Sequence, residues 1–343
     1  MFTPVETSIG AFLLHEATTT LLYQNGNVLG ASGLLRQLFS HPTRETLTFF
    51  AGMAASLLPL KFFLPDLVVE YPVVPTTLSA AVMSVGIGAL VGWGTKLAHG
   101  CTSGHMLCGL SRLSPFSLTA VATFFPVALL THHIAHPSLY TSACPSTTTP
   151  CYTPTYPSKD TLSTLLLLAT LVTLAGRYLP SLIASATTNP KTTRSKAIPA
   201  SSSAIAPARL TTRFLSGLTF GLGLQITGMA HPSKVLSFLS FPNMQVWDPS
   251  MGLVILFGIV PNLVEIQMRG FGKPPMFNSK FEFPVRSFRD VDWKLVLGSA
   301  AFGVGWGLSG TCPGPAVLRA MRQPVWGLLW VGGFWAGGKL VRD

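Results

Sequence analysis

Two stretches decide how this chain folds: ALVGWGTKLAHGCTSGHMLCGL at residues 89–110 and FGVGWGLSGTCPGPAVL at residues 302–318. Each starts as an apolar run, passes through VGWG into a patch of small residues, reaches a cysteine and continues into a short helix-competent piece. A weaker pair, NGNVLGASGLLRQLF (25–39) and ITGMAHPSKVLSFL (226–239), places a glycine-containing break before a short amphipathic piece. Matching interrupted segments in two halves of an apolar chain point to inverted repeats with a site near the bilayer midplane.

The composition agrees. Of 343 residues, 48% are hydrophobic and 10% charged, and the mean hydropathy is +0.47. Soluble domains carry roughly 25% charged residues, so the expected class is an all-α polytopic membrane protein in contact with lipid. Nine candidate spans can be drawn at about 7–24, 46–64, 76–98, 117–135, 161–180, 212–230, 250–267, 293–310 and 324–341. The chain then reads as one transport domain over 1–343. Repeat one covers about 5–135, a linking loop and span 136–211, and repeat two about 212–343. The N-terminal stretch has no charged region leading into a cleavable apolar core, so no signal peptide is expected.

A net charge of +11 would suggest nucleic acid in a soluble protein. Here the basic residues gather in loops, and no basic patch interleaved with aromatics appears, so nucleic acid is excluded as a partner. Residues 187–213 carry five basic and no acidic residues. They mark the cytoplasmic side by the positive-inside rule. Arg36, Arg44, Arg112, the 268–292 loop, Lys339 and Arg342 fall on that side. Asp66, Glu70 and the basic-poor 136–158 fall opposite, so the N-terminus lies outside and the C-terminus inside. Plasma membrane is the expected location.

The breaks suggest chemistry. Gly100 and Gly104 bend the span, and Thr102 or Ser103 can cap the following helix. In the second half Thr311 is a candidate cap, with Pro313 or Pro315 in a first-turn position. Gly314 lies beside them. A helix N-terminus in the membrane presents unpaired N–H groups and a positive dipole end, which favours an anion. Lys96, three residues before His99, adds a basic group. Cys101 and Cys312 occupy equivalent places, where a thiol is a better hydrogen-bonding or nucleophilic partner. Cys108 shares the Cys101 face if the segment is α-helical, since seven residues make nearly two turns. His105 and His99 read either as ligands or as histidines bonded to neighbouring carbonyls. The cysteine spacing is not that of a structural zinc site, and no metal or cofactor is expected. Trp93 and Trp306 read as packing residues. Glu16 and Glu265 are the main intramembrane acids. Cys144 and Cys151 form either a staple of an outer loop or nothing.

GTKLAHGCTSGHMLCGLSRLS (94–114) and GVGWGLSGTCPGPAVL (303–318) resemble the two signature segments of the YeeE/YedE family of sulfur-compound transporters. GLGLQITGMAHPSKVLSFL (221–239) with WDPS (247–250), and NGNVLGASGLL (25–35), are similar to its other repeat element. The resemblance implies uptake of an inorganic sulfur compound, most of all thiosulfate, with Cys101 and Cys312 exchanging S–H···S contacts with it. It also implies a cytoplasmic sulfur-accepting protein as a candidate partner. Family members can carry a further cysteine in the first span. IGAFLLHEATTTLLYQ (9–24) has none, so a three-cysteine relay would need Cys108 or a histidine. The chain has no ATPase motif and reads as a transporter rather than an enzyme. The alternative is a membrane thiol enzyme that relays sulfur as a persulfide.

Overall fold

A computed structural model describes residues 1–136, 149–187 and 204–341. Cys144, most of the Ser/Thr/Pro-rich linker and Arg342 lie outside the described residues. Among those described, the chain is helical, with only two isolated β-bridges. The helices are α1 (Pro4–Asn25), α2 (Ala31–Ser40), α3 (Arg44–Ala55), α4 (Leu57–Phe63), α5 (Leu78–Leu97), α6 (Pro115–Ala135), α7 (Lys159–Thr187), α8 (Ala206–Ile226), α9 (Pro232–Leu239), α10 (Val260–Arg269), α11 (Trp293–Ser309), α12 (Pro313–Arg322) and α13 (Pro324–Lys339). Two π-helical pieces, Ser103–Gly109 and Ile255–Ile259, precede a 3₁₀ turn at Leu110–Arg112 and α10 respectively.

Five helical stretches are long and apolar enough to cross a bilayer: Arg44–Phe63, Leu78–Leu97, Pro115–Ala135, Lys159–Thr187 and Pro249–Arg269. Trp293–Ser309 and Pro313–Arg322 together make a sixth, bent by 41° at the break. Their outer faces are apolar and uncovered; α7 alone exposes Leu166, Leu167, Leu171, Leu174 and Leu182. In water such a surface would drive aggregation, whereas in lipid it is matched. The chain is a polytopic helical membrane protein. Helices α1, α8 and α13 cover the remaining expected spans. The first two carry many buried polar groups, Thr7, Thr18, Gln24, Thr212 and Gln225 among them, and sit inside the bundle.

The loops sort to two ends. At one end the terminal amine of Met1 pairs with Asp248 at 3.7 Å, Phe2 bridges to Pro154, and Lys234 bonds Thr3. At the other, Asn27 bridges to Glu282, and the N–H groups of Met276 and Phe277 donate to the carbonyls of Tyr23 and Gln24 at 2.9 and 2.7 Å.

Glycine sets how closely the helices cross. A Cβ on Gly88 or Gly92 of α5 would stand 2.1 or 1.9 Å from the carbonyl oxygens of Trp330 and Phe334. On Gly333 or Gly337 of α13 it would meet those of Val85 and Ala89 at 2.2 and 1.9 Å. The two helices therefore touch backbone to backbone through a small-xxx-small stripe on each, the packing that membrane helices use in place of hydrophobic association. Gly52 and Gly217 bring α3 and α8 together in the same way, at 2.0 Å from the carbonyls of Phe214 and Phe49. A Gly92→Val substitution should force α5 and α13 apart and destabilise the fold by about 1–3 kcal/mol, the range for overpacking. It is read as a lowered unfolding midpoint in detergent. Gly332→Ala on α13 meets nothing within 4 Å and should leave the midpoint unchanged or slightly raised.

Candidate functional site

Just past α1, α5, α8 and α11 the backbone enters the left-handed region, at Gly26 (φ 77°), His99 (60°), Gly228 (77°) and Gly310 (62°). This conformation is nearly free for glycine but strained for His99. After each such residue the chain runs a few positions and starts a short helix: α2, the π segment, α9 and α12. The first carbonyl of the two cysteine-bearing pieces is the cysteine's own. His105 N–H donates to Cys101 O at 2.9 Å, and Ala316 N–H to Cys312 O at 3.0 Å. The cap expected of Thr311 thus falls to Cys312, with Pro313 in the first helical position. Thr311 turns away, its N–H donating to Ser309 Oγ at 3.2 Å and its hydroxyl to the Ser309 carbonyl at 3.1 Å. Ser103 caps a different helix, accepting the Ala31 N–H of α2 at 3.0 Å, and its hydroxyl lies 3.4 Å from Cys101 Sγ.

The starts of these helices meet at a buried chamber of about 90 Å³, lined by Ala31, Thr102, Val235 and Gly314 and by both cysteines. At about 30 Å³ per water, it holds a few water molecules or one small ion. Cys101 and Cys312 are 1% and 6% exposed. The Thr102 hydroxyl and the Gly314 backbone lie against the Cys312 sulfur. The walls are apolar: Leu14, Phe125, Phe220, Met229, Phe238, Met251 and Trp306. No carboxylate lines the chamber, so its polar groups are thiols, hydroxyls and backbone at helix starts. Trp306, read from sequence as packing, both lines the chamber and stacks parallel to Phe302 at 6.3 Å. The methionine and phenylalanine walls carry no sequence signal, except that Met229 directly follows the Gly228 break.

The other named residues lie elsewhere. Gly100, Gly104 and His105 line a vestibule of about 620 Å³ with Arg44, Arg112, Arg213, Arg286, Glu45 and Glu282. Glu45 is engaged by Arg209 and Arg213 at 2.7 and 3.0 Å. Hydrogen bonds from the Asn278 and Asn27 side chains hold the Glu282 carboxyl below the usual carboxylate range. His105 is a pin: Nε2 lies 3.1 Å from the Ala98 carbonyl and Nδ1 3.2 Å from Ser117 Oγ, the carbonyl-bonded alternative of the sequence reading. Lys96 donates to the Val341 carbonyl at 2.9 Å, in a cleft with Arg36, His99 and Lys294. Cys108 lies outside the chamber, 3.5 Å from the Leu29 carbonyl, in a small cavity with Arg112 and Asn262. The reason is the π geometry of 103–109. Its turns are wider than 3.6 residues, so seven residues fall short of two turns and point Cys108 away from the Cys101 face. Cys151 is disulfide-bonded. Among the described residues no cluster of three His, Cys, Asp or Glu side chains is arranged to hold a metal ion.

A Cβ on Gly100 would lie 2.6 Å from His105 Nε2 and push the ring off the Ala98 carbonyl, whereas Gly104 meets nothing within 4 Å. Gly100→Ala should lower stability by about 1–3 kcal/mol in thermal unfolding. Gly104→Ala should stay near wild type.

Residues 208–341 match a family described as a family of unknown function (DUF6691). The chain is also similar to proteins named "Probable transporter" in Xylella fastidiosa. One from strain 9a5c is 36% identical over 137 residues, 39% of this chain and 90% of the relative. Its counterpart in strain Temecula1 is 35% identical over 135 residues, 39% of this chain and 88% of the relative. A second protein of strain 9a5c is 35% identical over 118 residues, covering 34% of this chain and 83% of itself. With nine-tenths of such a relative aligned at this identity, the chain belongs to the family of these probable transporters.

Proposed function

We propose that the protein takes up a small inorganic sulfur anion, thiosulfate above others, through the chamber between Cys101 and Cys312, as YeeE/YedE transporters do. The observation that carries this reading is the pair of cysteines at helix starts in one buried, carboxylate-free cavity. A divalent anion loses a large hydration energy on entering a membrane. Helix N-termini offset part of that loss without a fixed counter-charge that would trap the ion. The soft terminal sulfur of thiosulfate is a weak acceptor, and the Cys S–H is a correspondingly weak donor. Weak contacts suit passage, since a tightly bound ion leaves slowly. Thr102 and Gly314 would contact the ion beside the thiols. Gly100, Gly104 and His105 would shape its way out. Cys108, Lys96 and Thr311 would act from outside the chamber.

The recurrence of helix, left-handed break and short helix supports an architecture of nine spans in two inverted halves, about 5–135 and 212–343. The relatives' size agrees with it, because single proteins align over most of their own length with little more than a third of this chain. The arginine-rich vestibule end is then cytoplasmic by the positive-inside rule, with the Met1 end outside and the plasma membrane as the site. A cytoplasmic sulfur-accepting protein would meet the anion at the vestibule.

The test is thiosulfate entry into liposomes carrying the purified protein. Cys101→Ala and Cys312→Ala should each reduce entry at least tenfold, the loss expected if a direct contact worth about 1.4 kcal/mol or more is removed. Cys108→Ala should retain most of it. Entry unchanged in both chamber variants would remove the thiol path. A sulfur adduct on Cys101 in the intact-protein mass would favour the persulfide enzyme instead.

A further inference from the structure

Within the bundle and apart from the chamber, α1 carries two ionisable side chains in succession, His15 and Glu16, both buried. Glu16 accepts hydrogen bonds from the Arg177 guanidinium of α7 at 2.8 and 2.5 Å. Glu265 of α10 is engaged by Arg269 at 2.7 Å. The His15 ring stands between the two carboxylates, with Nε2 3.7 Å from Glu16 Oε1 and 3.5 Å from Glu265 Oε2. Its other nitrogen, Nδ1, lies 2.7 Å from Asn262 Oδ1. The orientation of that amide is set independently: Asn262 Nδ2 donates to the Leu107 carbonyl at 3.1 Å, and the Thr18 hydroxyl lies 3.1 Å from Oδ1.

These contacts assign the proton. Nδ1 must donate to Asn262, so in a neutral imidazole the Nε2 lone pair would face two carboxylates. A proton on Nε2 would direct an N–H toward both carboxylates, which stand 3.7 and 3.5 Å away. Among the described residues, the charged groups around the ring are Glu16 from α1, Glu265 and Arg269 from α10, and Arg177 from α7. Helix α8 contributes Leu215, Ser216 and Thr219 to a small cavity that Glu16 also lines. The π segment presents the Leu107 carbonyl. Behind Asn262, a cavity of about 10 Å³ reaches Cys108 and Arg112, and Arg112 also lines the vestibule.

We infer that His15, held between Glu16 and Glu265, is a proton-binding site that couples proton movement to the π segment that follows Cys101, making the protein a proton-coupled carrier. This rests on the proposed passage of a sulfur anion. With Nε2 protonated, Nδ1–H holds Asn262, and Asn262 holds the carbonyl of Leu107, six residues from Cys101. When Nε2 gives its proton to water, its lone pair meets the two carboxylates, the ring turns, and the hold on Leu107 is released. One proton taken up on one side and released on the other is the whole exchange. It compensates one of the two charges of the anion.

The experiment uses the full chain in liposomes loaded with a pH-sensitive dye, with the membrane potential clamped and thiosulfate added outside. Thiosulfate entry should acidify the lumen, and an inward proton gradient should speed entry several-fold. His15→Gln should keep downhill thiosulfate entry and lose both effects. Glu265→Gln, which leaves the Glu16–Arg177 pair intact, should weaken the stimulation several-fold, because one of the two carboxylates facing Nε2 is gone. It tests the site even if His15→Gln does not fold. Thiosulfate entry by the wild type with no proton movement overturns the coupling and leaves the transport reading standing. Gradient stimulation that persists unchanged in the folded variants also overturns it. No entry of thiosulfate by folded wild type overturns both readings.

Discussion

The structure depends on one constraint: a helix that stops inside a bilayer leaves backbone groups that hydrocarbon cannot satisfy. This chain stops four helices just before left-handed residues and begins short helices just beyond them. None of those ends is tolerable against lipid. They are tolerable only if they are turned inward and enclosed by complete helices, and that requirement accounts for the bundle around them. Polar α1 and α8 lie inside, apolar α5, α6 and α7 outside, and the cysteines sit at the enclosed breaks.

Enclosing the breaks demands close packing, and close packing demands glycine. The stripes Gly88/Gly92 and Gly333/Gly337 let α5 and α13 meet at backbone distance, so that the break following α5 is braced by a helix from the far end of the chain. Where no glycine was available, at His99, the left-handed turn is made at a cost, and the following Gly100 gives space to the His105 ring. A strained residue persists only where the surroundings over-determine it. Here the surroundings are the His105 contacts with Ala98 and Ser117.

Much of this was legible in the sequence, for physical reasons that also explain the rest. Cys101 and Cys312 could be paired because VGWG, a small-residue break and a cysteine recur in order, and local order survives folding. The helix-start role followed from proline and glycine, whose backbone preferences are nearly independent of tertiary context. Cys108 shares the Cys101 face only in a segment of 3.6 residues per turn, and no residue of GHMLCG announces a π-helix. Lys96 is the opposite case. Its position near the break was evident, but the side chain's direction is set by the backbone carbonyl of Val341, hundreds of residues away. Thr311 and Ser103 show that a hydroxyl next to a break will bond whichever backbone group is nearest, on its own strand of chain or another. The chamber's walls were invisible for the same reason, since Phe125, Met229 and Met251 come together only through packing.

The division of labour between the two polar regions follows from this geometry. On the proposed reading, a chamber that releases a divalent anion is better without fixed charges, because at low dielectric a single buried opposite charge would hold the ion strongly. Its thiols, hydroxyls and helix ends meet that condition. A group that must change charge during the cycle needs the reverse: fixed carboxylates close enough to make one protonation state favourable and the other not. Placing His15, Glu16 and Glu265 outside the chamber satisfies both demands at once, provided something rigid connects them. Asn262 is that connection, since one amide bonds His15 with its oxygen and the Leu107 carbonyl with its nitrogen. An aspartate there would bring a third carboxylate to His15 and lose the donor to Leu107, and a leucine would lose both bonds. Of these three side chains only the amide can report the charge of His15 to the π segment that follows Cys101.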